Sequence, residues 1–242
     1  MSEDYLNIFL LSHMRAFTSL AGHIIGSHPA INGYFEMHIS YDDASALDKQ
    51  LDVFQDNEVL KENSHYLFDK LLHNDYQLKP ELPGLEGIKI LVALREPENT
   101  IKSIINLFAR KDTDELYALP YEAAKYYIER LEWLAEFSRK VGQGYYYFDA
   151  ELLQKAPEIL LPAMSGWLDL DSPLSGRYKI FNQSGEAGKG DSSKRIHSGK
   201  IDKTTVDYSH ILIPHDELKS ALSVYRDCRQ QLIDNAIDSI TR

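Results

Sequence analysis

Two almost unbroken apolar runs, each passing through a short polar loop into a helical pattern, constrain the fold more than any other feature of this chain. Residues 5–12 carry Tyr5, Leu6, Ile8, Phe9, Leu10 and Leu11, and residues 88–94 read IKILVAL. Strands apolar on both faces need cover on both faces, which is the situation of a parallel sheet between helices. After the first run, residues 18–25 read as a helix stopped by Gly26, His28 and Pro29. After the second, Pro97 falls just inside a helix start, where its missing N–H costs nothing. Residues 30–37 suit a short second strand, and residues 44–74 carry helical patterning with Leu47, Leu51 and Phe54 in step. A long helix over about 121–141 aligns Tyr127, Leu131, Leu134 and Val141; Gly142 and Gly144 end it before a strand at 145–148. Residues 215–240 close the chain as a helix. This alternation predicts a three-layer α/β fold, a mostly parallel central sheet with helices on both faces, as a single domain over residues 1–242.

Composition removes several classes of function. A net charge of −11 argues against a general binder of nucleic acid or anionic membrane. The apolar start YLNIFLL is too short to span a membrane and has no basic flank, so the expected location is the cytoplasm. Cys228 is the single cysteine, so neither an intrachain disulfide nor a cysteine-based zinc site is expected, and no metal-ligand spacing is visible. Against this acidic background, residues 186–203 hold Lys189, Lys194, Arg195, Lys200 and Lys203 against three acids. They lie in an aperiodic stretch rich in Gly, Ser and Lys, running from residue 172 to 203. A local basic island of this kind suits a small anionic ligand, and long loops in compact domains are often functional.

The loop after the first strand, MRAFTSL, aims backbone N–H groups and the positive end of a helix dipole at one point. Thr18 and Ser19 add hydroxyls and Arg15 a planar, fixed charge. There is no GxxxxGK[ST] motif. Arg95 stands at the end of the IKILVAL strand with Ser103 eight residues on, off the apolar side formed by Ile101, Ile104, Ile105 and Phe108. Ligands of parallel α/β sheets bind outside the carboxyl ends of the strands, where both groups are placed.

These residues resemble the sulfotransferase family that uses 3′-phosphoadenosine 5′-phosphosulfate (PAPS), whose core is like that of P-loop kinases. In that family an R/K-S-G-T-T loop cradles the 5′-phosphosulfate; here Arg15, Ala16, Phe17, Thr18 and Ser19 take its place. Arg95 and Ser103 match, with the same spacing, the pair that holds the 3′-phosphate, and Lys189, Ser198, Gly199 and Lys200 resemble the late basic loop. Tyr147 opens a segment similar to one near the adenine, and Phe68-Asp69-Lys70 resembles a D/E-K segment of several branches. Two departures stand out: Phe17 occupies the position of the loop glycine, and Ala16 replaces a hydroxyl residue.

The resemblance implies transfer of a sulfuryl group from PAPS to an acceptor hydroxyl or amine without a metal. Arg15, with Lys70 or His13, would offset charge on the bridging oxygen and the moving group. Glu36 stands where bacterial and glycan-type members carry a general base, with His38 and His73 as other candidates. Two other readings stay open: an ATP-dependent small-molecule kinase, disfavoured by the missing Walker lysine, and a non-catalytic nucleotide- or partner-binding relative, favoured by Phe17. The acceptor and the oligomeric state are not legible. Tyr41, Phe54, Tyr66, Tyr117 and Tyr121 suit either core packing or an acceptor surface.

Overall fold

The computed structural model describes residues 5–110, 116–185 and 194–242. The first half of the chain builds β1 (Leu6–Leu11), α1 (Thr18–Gly26), β2 (Ile31–Asn32), α2 (Ser45–Asn57), β3 (Tyr66–Leu71), β4 (Lys89–Leu94) and α3 (Pro97–Phe108). The second half adds α4 (Pro120–Val141), β5 (Tyr146–Asp149), α5 (Leu152–Lys155), α6 (Pro157–Trp167), α7 (His215–Asn235) and β6 (Asp238–Ile240). The six strands form one parallel sheet in the order β2-β3-β1-β4-β5-β6.

Side chains alternate across the pleat and divide the core in two. Phe9 and Leu11 of β1, with Ile90, Val92 and Leu94 of β4, meet α2, α3, α4 and α7 on one face. Ile8, Leu10, Leu91 and Ala93 meet α1, α5 and α6 on the other. The expected three-layer arrangement is therefore present, and every strand pairing in it is parallel.

Three elements depart from the expected pattern. Residues 66–71, read as the tail of a helical stretch, form β3 in the heart of the sheet. Asp69 and Lys70 hide it: both are buried, at 0% and 2% exposure, where alternation would normally place apolar residues. The second strand is only Ile31–Asn32, because Gly33 takes a positive φ of 102° and the chain leaves the sheet. The last helix stops at Asn235, and Asp238–Ile240 pairs with β5 as an edge strand. Tyr41, Phe54 and Tyr66 are core residues, whereas Tyr121 is exposed.

β1 connects leftward in the sheet to β2 and β3, whereas the later strands build rightward from β4. The strand order therefore reverses between β1 and β4, whose ends are in register through Leu11 and Val92. Such a switch point opens a crevice at the carboxyl edge, where ligands of this architecture bind.

Candidate active site

The loop between β1 and α1 is held in an unusual backbone shape. Arg15 and Phe17 have positive φ values of 65° and 57°, although neither is glycine. Such conformations cost on the order of 1–3 kcal/mol each and persist only where surrounding contacts enforce them. The end of β4 supplies those contacts. Arg95 donates from Nη1 to the Arg15 carbonyl at 2.8 Å, and its guanidinium lies 4.5 Å above the Phe17 ring. Phe17 therefore adopts the left-handed conformation that a glycine takes easily, and its ring supports Arg95 through a cation–π contact.

Ser103 joins the same group from α3. Arg15 Nε donates to Ser103 Oγ at 2.9 Å, and the Tyr208 hydroxyl donates to it at 3.0 Å. Burial holds the Arg95 guanidinium below its ordinary value, with nearby Glu151 acting in the opposite direction. Behind the loop, His13 Nε2 accepts the Arg95 backbone N–H at 3.0 Å, so Nδ1 carries the proton to the Met14 carbonyl at 2.9 Å. Burial pushes the His13 pKa down to about 3. His13 is thus a neutral, inward-facing brace for the loop, and the charge-offsetting role considered for it falls away.

A second group gathers at the ends of β2 and β3. Gly22 and Gly26 of α1 let the helix lie directly on the backbone of residues 33–34; a Cβ at Gly26 would run into the Gly33 carbonyl. That seat delivers Glu36. Buried Asp69 then fixes the segment, accepting the Met37 N–H at 3.1 Å and the Tyr41 hydroxyl at 2.7 Å. Around the Glu36 carboxylate lie Lys70 Nζ at 3.6 Å, His73 Nε2 at 3.3 Å and His38 Nε2 at 3.8 Å. Burial pushes the Glu36 pKa up, but the hydrogen bond to His73 and the charges of Lys70, His73 and His38 outweigh it and hold the carboxyl below its ordinary value.

Tyr126 of α4 connects the two groups. Its hydroxyl accepts the Met14 N–H at 2.8 Å and donates to the Leu72 carbonyl at 2.7 Å, and its ring faces His73 with centroids 6.5 Å apart. The carboxyl edge of β2, β3, β1 and β4 therefore presents three cations, a helix N-terminus and an ionised carboxylate. This arrangement can hold a multiply charged anion and accept a proton beside it.

Tyr147 lies apart from this group, whereas the segment of residues 198–200 adjoins the cluster that reaches Ala16 and Phe17. Tyr147 is fully buried on the α4–α7 face, with its hydroxyl on Asp149 at 2.8 Å. The segment of Ser198, Gly199 and Lys200 is tied to Tyr178, whose N–H and hydroxyl bond the Gly199 and Lys200 carbonyls at 3.0 Å each. Ser198 Oγ donates to the Lys200 carbonyl at 2.9 Å. This segment packs through Ile196 and Tyr178 into the cluster that includes Ala16 and borders Phe17 and Leu20. Lys189 lies outside the described residues. Tyr126, Tyr127, Arg130 and Tyr208 support the site, Tyr127 by donating its hydroxyl to the Arg95 carbonyl at 2.7 Å, and of the four the sequence marked only Tyr127, as part of a helical stripe. The first three share one stretch of α4, and only their spacing beside Leu131 hinted at burial. Tyr208 follows an aperiodic stretch and carried no signal.

Among the described residues, no group of three or more His, Cys, Asp or Glu is placed to hold a metal ion. No described helix is long and apolar enough to cross a membrane. No protein-family model and no curated protein matches the chain. Among solved structures, the fold is similar to the sulfotransferase domain from the curacin biosynthetic pathway: TM-score 0.59, 14% identity, 94% of this chain and 99% of that one. It is also similar to the sulfotransferase domain from the Synechococcus PCC 7002 olefin synthase: TM-score 0.50, 15% identity, 91% of this chain and 95% of that one. At this identity the structural likeness establishes a shared fold and nothing more.

Proposed function

We propose that this chain is a sulfotransferase that moves a sulfuryl group from PAPS to the hydroxyl or amine of an acceptor. The observation that carries this reading is the joining of Arg15, Phe17, Arg95 and Ser103 at the β1/β4 switch point, beside an ionised Glu36. The two solved folds described above are sulfotransferase domains, which supports the same reading.

In this account the loop of residues 15–19 and the α1 N-terminus receive the phosphosulfate, while Arg95 and Ser103 receive the 3′-phosphate. Ser198, Gly199 and Lys200 would meet the nucleotide from the α1 side, and Tyr147 would support the adenine side from the core. Glu36 takes the proton of the acceptor hydroxyl as its oxygen bonds to sulfur. The bond from sulfur to the bridging oxygen breaks, and 3′,5′-adenosine bisphosphate leaves. Arg15 and Lys70 offset the charge that grows on the bridging oxygen, and His38 and His73 hold Glu36 in its ionised form.

Incubation with sulfur-labelled PAPS and a panel of alcohols, phenols and amines, in the presence of a chelator, tests the reaction. Label transfer with release of the bisphosphate is expected. Transfer that requires ATP and magnesium, with PAPS inert, would replace the reading with a kinase.

A further inference from the structure

Arg130 of α4 is completely buried, yet its guanidinium meets backbone carbonyls where a carboxylate would be expected. Nε donates to the Ser12 carbonyl at 2.8 Å, Nη2 to Leu71 at 2.5 Å and Nη1 to His73 at 3.2 Å. The indole of Trp133 covers it at 4.4 Å. Among the described residues, no carboxylate lies within ion-pair distance of it. Burying a charge without a counter-charge is costly, and an apolar side chain of similar volume would hold the helix with less penalty.

The location supplies a use for that charge. Carbonyl oxygens beyond the last ladder bonds of a strand have no sheet partner, so at this edge they would otherwise face an anion with partial negative charge. The three carbonyls taken by Arg130 are those at the ends of β1 and β3, on which the Arg15 loop, Lys70 and His73 depend. One turn earlier on the same helix, Tyr126 ties Met14 to Leu72.

We propose that Arg130 is a positioning residue for the anion site. It withdraws the carbonyls at the ends of β1 and β3 and sets a permanent positive charge beneath the bound anion. This inference rests on the donor pocket proposed above.

Two substitutions separate charge from bonding: R130K keeps the charge with a different bonding geometry, and R130Q keeps an N–H donor without the charge. Each is titrated with 3′,5′-adenosine bisphosphate and with adenosine 5′-monophosphate, and its unfolding temperature is recorded. R130K is expected to stay within about threefold of the wild type. R130Q is expected to bind the bisphosphate about tenfold more weakly and to lose less for the monophosphate, because a Coulomb effect scales with ligand charge. Equal losses for the two nucleotides, or for the two variants, would reduce Arg130 to a packing role. If R130Q does not fold, R130K decides: retained affinity supports the inference and a tenfold loss overturns it. A wild type that binds neither nucleotide refutes the donor assignment instead. Inorganic sulfate then judges Arg130 through the unfolding temperature. Stabilisation of the wild type but not of R130Q supports it, and equal or absent stabilisation overturns it.

Discussion

Glu36 remains ionised at 6% exposure because Lys70, His73 and His38 crowd its two oxygens. A base held below its ordinary value of 4.5 should work down to mild acid, so the acid limb of turnover is expected below that pH. Glu36→Gln keeps the volume and removes proton acceptance. It should spare binding of the bisphosphate and lower turnover by about 10²–10⁴-fold; undiminished turnover would move the base to His38 or His73. His13 gives a separate prediction. Its folded pKa is near 3, whereas the unfolded value is 6.5, so its contribution is complete above 6.5 and is lost as pH falls below it. Relative to His13→Gln, which cannot titrate, the wild type should lose about 2 kcal/mol of unfolding free energy between pH 7 and pH 5. Denaturant midpoints of both proteins at the two pH values measure the difference, and parallel shifts would contradict the neutral brace. Arg15, Arg95 and Ser103 were legible because strand ends and helix starts have known chemistry. Arg130 was not, since a charged residue in a helix normally reads as solvent-facing.

The two strand–loop–helix units around β1 and β4 were legible because uninterrupted apolar runs have few alternative structures. β3 was not, because Asp69 and Lys70 break its pattern for reasons visible only in three dimensions: one anchors Met37 and Tyr41, the other faces Glu36. β6 was hidden because three residues at a sheet edge carry no periodicity. The contact of α1 with residues 33–34 determines where Glu36 sits, so it can be tested as an element. Gly26→Ala forces a Cβ against the Gly33 carbonyl and should destabilise the fold by about 1–3 kcal/mol. Turnover should fall more than nucleotide affinity, because the shift falls on the Glu36 segment while the Arg95–Ser103 side is untouched. Equal effects on both, or neither, would show that α1 does not place the base.

At the scale of the whole molecule, the acidic chain brings Arg15, Arg95 and Lys70 together at the carboxyl edge of its sheet. The net charge of −11 offers no general affinity for polyanions, so an anion held at this edge has to be held by built geometry. The alternating pattern made the layers and the crevice readable. The pairing of the Arg15 loop with Arg95 and the enclosure of Glu36 depend on contacts between residues distant in sequence, which no local pattern records. The most direct test is calorimetric titration with 3′,5′-adenosine bisphosphate beside ATP, in a metal-free buffer, on the wild type and Arg95→Ala. The wild type should bind the bisphosphate and not ATP, and Arg95→Ala should lose about 1.5–3 kcal/mol of that affinity. Binding of ATP alone, or bisphosphate affinity unchanged by Arg95→Ala, would contradict the assignment of this edge as the PAPS site.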